Sequence, residues 1–199
     1  MPSKDRHGHV GLLLLAAGSS KRLGTPKQLL IYKQQSLMRH TAKMALASYC
    51  QPIVVVLGAH AEKIQTEVAG LPLKTVVNTA WPEGMGSSIA AGMSYLTKGM
   101  DTCAVILMLC DQPYVDTEII NKLVITYRST NAQLIAADYE NTVGVPALFG
   151  KPFYQHLLAL TGQQGAKSIL LAHSASLITV SVPEAATDID TPADYENIQ

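Results

Sequence analysis

The residues best suited to chemistry stand around the first apolar run of the chain. In LLLLAAGSSKRLGTPK, four leucines lead into the small-residue turn Ala16-Ala17-Gly18-Ser19-Ser20, and Arg22 and Lys27 follow, five residues apart. Such a run suits a strand buried on both faces. The turn has little side-chain bulk to hold a ligand off the backbone, so its N–H groups can take phosphate oxygens. Arg22 and Lys27 add the positive charge that a nucleoside triphosphate needs. Leu15, Ala16, Ala17, Gly18, Ser20, Arg22 and Lys27 are therefore the expected nucleotide-binding residues, with Arg22 and Lys27 also catalytic. The glycines at 18 and 24 fit neither the GxGxxG of dinucleotide folds nor the GxxxxGK[ST] of P-loops. A buried first strand with an ordinary polar turn after it is the competing explanation, since any open α/β domain contains one.

Three further groups stand out. Asp111 follows the apolar run Val105 to Leu109, where an acid beyond a buried strand gives Mg²⁺ a hard oxygen ligand beside bound phosphates. A turn or capping aspartate ahead of Pro113 has the same sequence appearance. Gly84-Met85-Gly86-Ser87-Ser88 joins flexible backbone to two hydroxyls at a predicted helix start. Gly86, Ser87 and Ser88 are candidates for directional hydrogen bonds to a base, and the serines equally for helix capping. Gly144-Val145-Pro146 offers small residues and a rigid turn that a planar ring system could approach, although strand-entry geometry explains the same residues. Cys110 reads as a small buried apolar residue.

The elements that must position these groups alternate along the chain. Leu12 to Leu15, Ile53 to Leu57, Val105 to Leu109 and Leu134 to Ala137 are rich in strand formers, with helical spacing between them. Ile89, Met93 and Leu96 mark one buried helical stripe; Ile119, Leu123 and Tyr127 mark another. Ile178, Val180 and Val182 alternate with polar residues as in a half-exposed strand. Asp116 caps one predicted helix, and Thr191, Pro192 and Asp194 read as N-cap, N1 and N3 of a last short one. The predicted fold is α/β: an open, mainly parallel, Rossmann-like sheet with helices on both faces, in a single domain over residues 10–199. Residues 1–9 carry no periodicity and read as a mobile tail whose His7 and His9 are solvated. Such a sheet binds ligands beyond the carboxyl ends of its strands, which gathers the turn after Leu15, the Ala80 to Ser88 loop and Asp111 at one cleft.

Composition narrows the classes. A chain of 199 residues, 48% hydrophobic and 15% charged, can bury a substantial α/β core. Fifteen basic and fifteen acidic residues cancel, so neither nucleic acid nor an anionic membrane is an expected partner. No apolar stretch nears the roughly 20 residues of a membrane span, and a cytoplasmic location is the default expectation. Three widely spaced cysteines suit reduced thiols better than a disulfide frame or zinc site.

The first segment resembles the LAAGxSxRMGxxK motif of the molybdopterin guanylyl- and cytidylyltransferases, with Leu23 in place of Met. Matches continue at Trp81-Pro82-Glu83-Gly84-Met85-Gly86-Ser87-Ser88, Cys110-Asp111-Gln112-Pro113, Gly144-Val145-Pro146-Ala147-Leu148-Phe149 and Asp188-Ile189-Asp190-Thr191-Pro192-Ala193-Asp194-Tyr195, and so span nearly the whole chain. The two alanines before Gly18 are most similar to the cytidylyltransferase branch. This resemblance implies the nucleotide-diphospho-sugar transferase type of fold, with CTP and molybdopterin or molybdenum cofactor as substrates. It also implies Mg²⁺ as cofactor and Asp188-Ile189-Asp190 as the source of a second metal ligand beside Asp111. Alternation places both acids on one side of an extended chain, and Asp190 is preferred, since Asp188 can serve as a turn acceptor. Ser88 matches a serine that contacts cytidine in a related cytidylyltransferase family, and Gly144, Val145 and Pro146 match the acceptor side. Gly162 to Lys167 departs from the family's frequent GDxGAR, with Gln163 and Lys167 replacing the acid and arginine, so a charge pair there is not expected.

Three functions fit these residues. The first joins CMP from CTP to molybdopterin with release of pyrophosphate; the second uses another phosphorylated acceptor, such as a sugar or polyol phosphate. The third is a carrier that passes finished cofactor to a molybdenum hydroxylase apoenzyme. Arg22, Lys27 and Asp111 argue for turnover, since a pure carrier of product has no need of a triphosphate grip.

Overall fold

A computed structural model describes residues 8–199. In chain order it contains strand β1 (His9–Ala16), the two-residue strands β2 (Ile31–Tyr32) and β3 (Gln35–Ser36), helix α1 (Leu37–Ala47), β4 (Ile53–Leu57), α2 (Ala61–Glu67), β5 (Lys74–Val77) and α3 (Met85–Thr97). There follow β6 (Thr102–Leu109), α4 (Thr117–Thr130), β7 (Leu134–Tyr139), β8 (Thr142–Gly150), α5 (Tyr154–Leu158), α6 (Lys167–Ala172), β9 (Leu177–Ser181) and α7 (Pro192–Glu196). The expected tail falls mostly outside the described residues, His7 included; His9 already pairs with Thr102.

Seven strands form one sheet in the order β5-β4-β1-β6-β8-β7-β9, and β2 pairs with β3 in a small hairpin. Only β8 opposes its neighbours: β1 is parallel to β4 and β6, β4 to β5, and β7 to β9, while β8 is antiparallel to β6 and β7. The expected mainly parallel sheet is thus present, with one reversed strand that periodicity did not reveal. Pro146 lies inside β8, against the general exclusion of proline from central strands. Its missing N–H costs no ladder bond, because the β7 register jumps from Ala136↔Ala147 to Ala137↔Gly144 and leaves Val145 and Pro146 bulged. Gly144-Val145-Pro146 thus lies within β8, as strand geometry allows.

β1 lies at the middle of the parallel part and is buried on both faces. Leu12 and Leu14 pack with Leu37 and Met38 of α1 and Leu123 of α4, whereas Leu13 and Leu15 pack with Ile89, Met93 and Leu96 of α3 and Leu157 of α5. Each leucine removed from water in this way contributes about 2 kcal/mol. Helices thus cover both faces, as expected. On α4 the buried stripe is Ile120, Leu123, Val124 and Tyr127, with Ile119 only partly buried, so the predicted stripe is turned by one residue at its start. Both predicted caps are present: Asp116 accepts from the Ile119 N–H at 3.0 Å, and Thr191 and Asp194 form a reciprocal capping box. Cys50, Cys103 and Cys110 are free thiols. Among the described residues no helix is long and apolar enough to cross a membrane.

Close approach of α3 to the sheet depends on Gly92. A Cβ there would stand 2.7 Å from Val56 Cγ2 and 3.1 Å from Leu13 Cδ1. Gly92→Ala should gain about 1 kcal/mol of helix propensity but lose about 1–3 kcal/mol to overpacking, for a net loss. Thermal unfolding should show a melting point lowered by about 2–4 °C per kcal/mol. An unchanged or higher melting point would mean that α3 can move off the sheet freely.

Candidate active site

A cleft of about 590 Å³ opens at the carboxyl ends of β1 and β6, large enough for a nucleotide. The turn after β1 forms its floor. Leu15 O accepts from Cys110 N–H at 3.1 Å and Ala17 O from Ala59 N–H at 3.0 Å, so the loops after β4 and β6 clasp the turn from either side. Ser20 adopts the left-handed conformation (φ 54°); its carbonyl accepts from Leu23 and Gly24, and its hydroxyl accepts from the Lys27 N–H at 3.0 Å. Among the described residues, no protein acceptor takes the N–H groups of residues 18–22. A concave run of free N–H groups is an anion receptor.

At one side of this floor stands a chain of charges. Lys27 Nζ donates to Asp111 Oδ2 at 2.7 Å and to Asp190 Oδ1 at 2.8 Å, and Arg22 reaches Asp190 Oδ2 at 2.6 Å. The Lys27 and Asp111 side chains are only 13% and 19% exposed, against 72% for Arg22, so the first pair is held in a low-dielectric setting and the Arg22 pair is screened by water. Burial alone would lower the Lys27 pKa, but Asp111 and Asp190 outweigh it and hold the ammonium above its usual value. The hydrogen bond from Lys27, helped by Arg22, keeps Asp190 below the usual carboxylate range. Asp111 Oδ1 is buried without a partner. An unpaired carboxylate oxygen is a donor type that suits a hard cation, but no three His, Cys, Asp or Glu side chains among the described residues gather closely enough to hold one alone. An ion here therefore fits Mg²⁺ practice, in which one or two carboxylates are completed by phosphate oxygens.

Asp188 also lines the cleft. Loss of water there, with the charges of Asp111 and Asp190, pushes its pKa up to about 6. The backbone sets this arrangement: Ile189 is fully buried and its N–H donates to Asp111 O at 3.0 Å, which turns its two acidic neighbours outward together.

Across the cleft, Ser88 lines the wall while Ser87 and Gly86 do not. Asn78 is the buried organiser. Its Nδ2 donates to Ser87 Oγ at 2.9 Å and Ser88 Oγ at 3.1 Å, and its Oδ1 accepts from the Ala80 N–H. Ser87 donates to Ala80 O and Gly84 O and thereby closes the start of α3. Gly86 allows Thr161 to pass: a Cβ would lie 2.7 Å from the Thr161 carbonyl oxygen. Of the three residues expected to meet a base, Ser88 alone lines the cleft.

Leu15, Ala16, Ala17, Gly18, Ser20, Arg22, Lys27, Ser88, Asp111 and Asp190 all line the same space. Gly144, Val145 and Pro146 are not among the residues that line it. Val145 O accepts from Gln112 Nε2 at 3.3 Å, which ties β8 to the residue after Asp111. Lys167 donates to Thr142 Oγ1 at 2.6 Å. Burial pushes the Cys110 thiol up to about 12, consistent with an inert packing residue. Sequence reasoning missed Asn78, Gln28 and the lining role of Trp81 and Gln163. Buried polar residues next to apolar runs were the available signal for the first two.

The raised pKa of Asp188 has a thermal signature. An acid whose folded-state pKa, here about 6, exceeds its ordinary value of 3.8 costs stability when ionised, and that cost disappears as pH falls from 6 toward 4. Asp188→Asn should therefore melt a few degrees above the parent protein near pH 8, with the gap closing by pH 4. A gap independent of pH would show that the carboxyl is not under this strain.

Residues 12–177 match the family described as the MobA-like NTP transferase domain. The chain is similar to nicotine blue oxidoreductase of Paenarthrobacter nicotinovorans, with 37% identity over 118 residues, 58% of this chain and 56% of that protein, so it spans about half the length of that relative. It is similar to molybdenum cofactor cytidylyltransferase of Escherichia coli over almost its whole length, with 24% identity over 187 residues, 94% of this chain and 93% of that one. The crystal structure of Rv0371c from Mycobacterium tuberculosis H37Rv superposes with a TM-score of 0.83 at 24% identity, covering 96% of this chain and 97% of that chain. The same protein has been solved in complex with manganese. The structural likeness agrees with the fold, and the sequence match takes in the turn after β1, Lys27 and Asp111: the chain belongs to the MobA-like NTP transferase domain family.

Proposed function

We propose that this protein is a cytidylyltransferase that joins CMP from CTP to molybdopterin or molybdenum cofactor and releases pyrophosphate. The observation that carries the reading is the Lys27–Asp111–Asp190 cluster beside a turn of free N–H groups. The full-length similarity to molybdenum cofactor cytidylyltransferase supports the acceptor, and Ser88 supports a base read by hydrogen bonds. The manganese complex of Rv0371c supports a divalent cation.

In this reaction a terminal phosphate oxygen of the acceptor attacks the α-phosphorus of CTP; one P–O bond forms, the α–β P–O bond breaks, and pyrophosphate leaves. The nucleophile is already ionised near neutral pH, so no protein base is required. The turn after β1 orients the triphosphate, and Lys27 and Arg22 neutralise charge that grows on the α-phosphate and leaving group. Asp111 and Asp190 would hold Mg²⁺, which supplies charge neutralisation across phosphate oxygens. Asn78 keeps the Ser88 hydroxyl in place to meet the base. Gln112 joins the Asp111 loop to Val145 and so couples the metal side to the expected acceptor side.

The test is pyrophosphate release by purified protein with Mg²⁺, molybdopterin and each nucleoside triphosphate in turn. Release with CTP should exceed release with GTP by roughly tenfold or more. Equal release with both, or release only with a sugar phosphate as acceptor, would reject the cytidylyl reading; tight binding without turnover would favour the carrier. In the same assay Asp111→Asn should lower turnover by roughly two orders of magnitude or more while the protein stays folded. Full activity of this variant at limiting Mg²⁺ would reduce Asp111 to a turn residue.

A further inference from the structure

We propose that Gln28 is a positioning residue for phosphate binding: its side-chain amide fixes the turn after β1 in the peptide orientation that offers N–H groups rather than carbonyls to an anion. The inference rests on the phosphate site of the proposed function and goes beyond it by naming what shapes that site.

Gln28 is 2% exposed, and its Nε2 donates to two carbonyls of the turn, Ala16 O at 2.9 Å and Gly18 O at 3.0 Å. The intervening and preceding carbonyls, of Ala17 and Leu15, are held by backbone N–H groups of neighbouring loops. Four successive carbonyls are thus drawn into the protein, two of them by one side chain. In a trans peptide the N–H points opposite to the C=O, so fixing the carbonyls fixes the N–H directions as well. Without Gln28, the peptides after Ala16 and Gly18 would lose the donor that opposes their rotation. A carbonyl turned toward a triphosphate would repel it.

The orientation of the amide cannot be reversed, since Oε1 would then face two carbonyl oxygens. As it stands, Oε1 is buried with no hydrogen-bond partner. Stability alone disfavours a buried acceptor left unpaired, and an apolar residue of similar length would avoid it. The retained amide is explained by its donor side. Gln28 also shares a short 3-10 turn with Lys27, whose N–H donates to Ser20 Oγ, so one segment sets both the turn and the cation that works beside it.

The experiment measures inorganic pyrophosphate binding by calorimetry in the presence of Mg²⁺, together with thermal melting, for the parent protein, Gln28→Met and Gln28→Glu. Gln28→Met removes both the donor and the orphaned acceptor. It should weaken pyrophosphate binding by about tenfold or more, the scale of one or two lost hydrogen bonds, with the protein still folded, since removal of the orphaned acceptor offsets part of the cost of the two carbonyls left without a donor. Gln28→Glu keeps the length but replaces the amino group with oxygen, and should weaken binding at least as much. It provides the measurement if the methionine variant does not fold. Parent-like pyrophosphate affinity in either folded variant overturns the inference. Failure of the parent protein to bind pyrophosphate overturns it together with the phosphate site. If the parent binds pyrophosphate but releases none from CTP, weaker binding by the variants still supports the role of Gln28, and only the transferase reading falls.

Discussion

One ammonium held between two carboxylates organises this cleft. Lys27 comes from the segment after β1, Asp111 from the end of β6, and Asp190 from the approach to α7, yet all three meet within hydrogen-bond distance. Charges this shielded from water are retained only when well paired, because breaking one partner leaves the other uncompensated. The fold supplies the pairing through adjacency. β1 and β6 are parallel neighbours, so their carboxyl ends open side by side, and the Ile189–Asp111 backbone bond brings the last acidic segment to the same edge. Burial of Ile189 then decides that Asp188 and Asp190 face the cleft together.

Arg22 and Lys27 balance Asp111 and Asp190, and Asp188, whose pKa burial raises to about 6, adds a further negative charge near neutral pH. An incoming triphosphate with a divalent cation would offer each of these charges a new partner. On the proposed reading, the carboxylates pass from the lysine to the cation and the lysine passes to phosphate. Lys27, Asp111, Asp190 and Arg22 are thus paired with one another, while Asp188 bears the cost of a partly buried charge beside two others.

Much of this was legible in the sequence because it depends on local rules. Four leucines before a small-residue turn specify a buried strand and an open backbone; Asp116 and the Thr191–Asp194 box are local caps; an acid after a buried strand marks Asp111. What was hidden depends on partners distant in the chain. The pairing of Lys27 with both acids, the clamp made by Gln28 on Ala16 and Gly18, and the support of Ser88 by Asn78 follow from which loops the sheet brings together. β8 was obscured by Pro146, which argues against a strand until the bulge opposite Ala136 and Ala137 is seen. Gly86 and Ser87 share the motif of Ser88 but lie outside the cleft lining, Gly86 packed against Thr161 and Ser87 bonded to the Ala80 and Gly84 carbonyls. A motif names a segment; only the backbone says which of its side chains reaches the ligand.

The most direct measurement is a crystal structure with a non-hydrolysable CTP analogue and Mn²⁺, the ion located by its anomalous scattering. The predicted result is an anomalous peak bonded to Asp111 and Asp190, with Lys27 Nζ moved from the carboxylates onto a phosphate oxygen and the triphosphate seated on the turn after β1. A nucleotide bound in the cleft while Lys27 still bridges both carboxylates, or a metal peak away from Asp111 and Asp190, would contradict it.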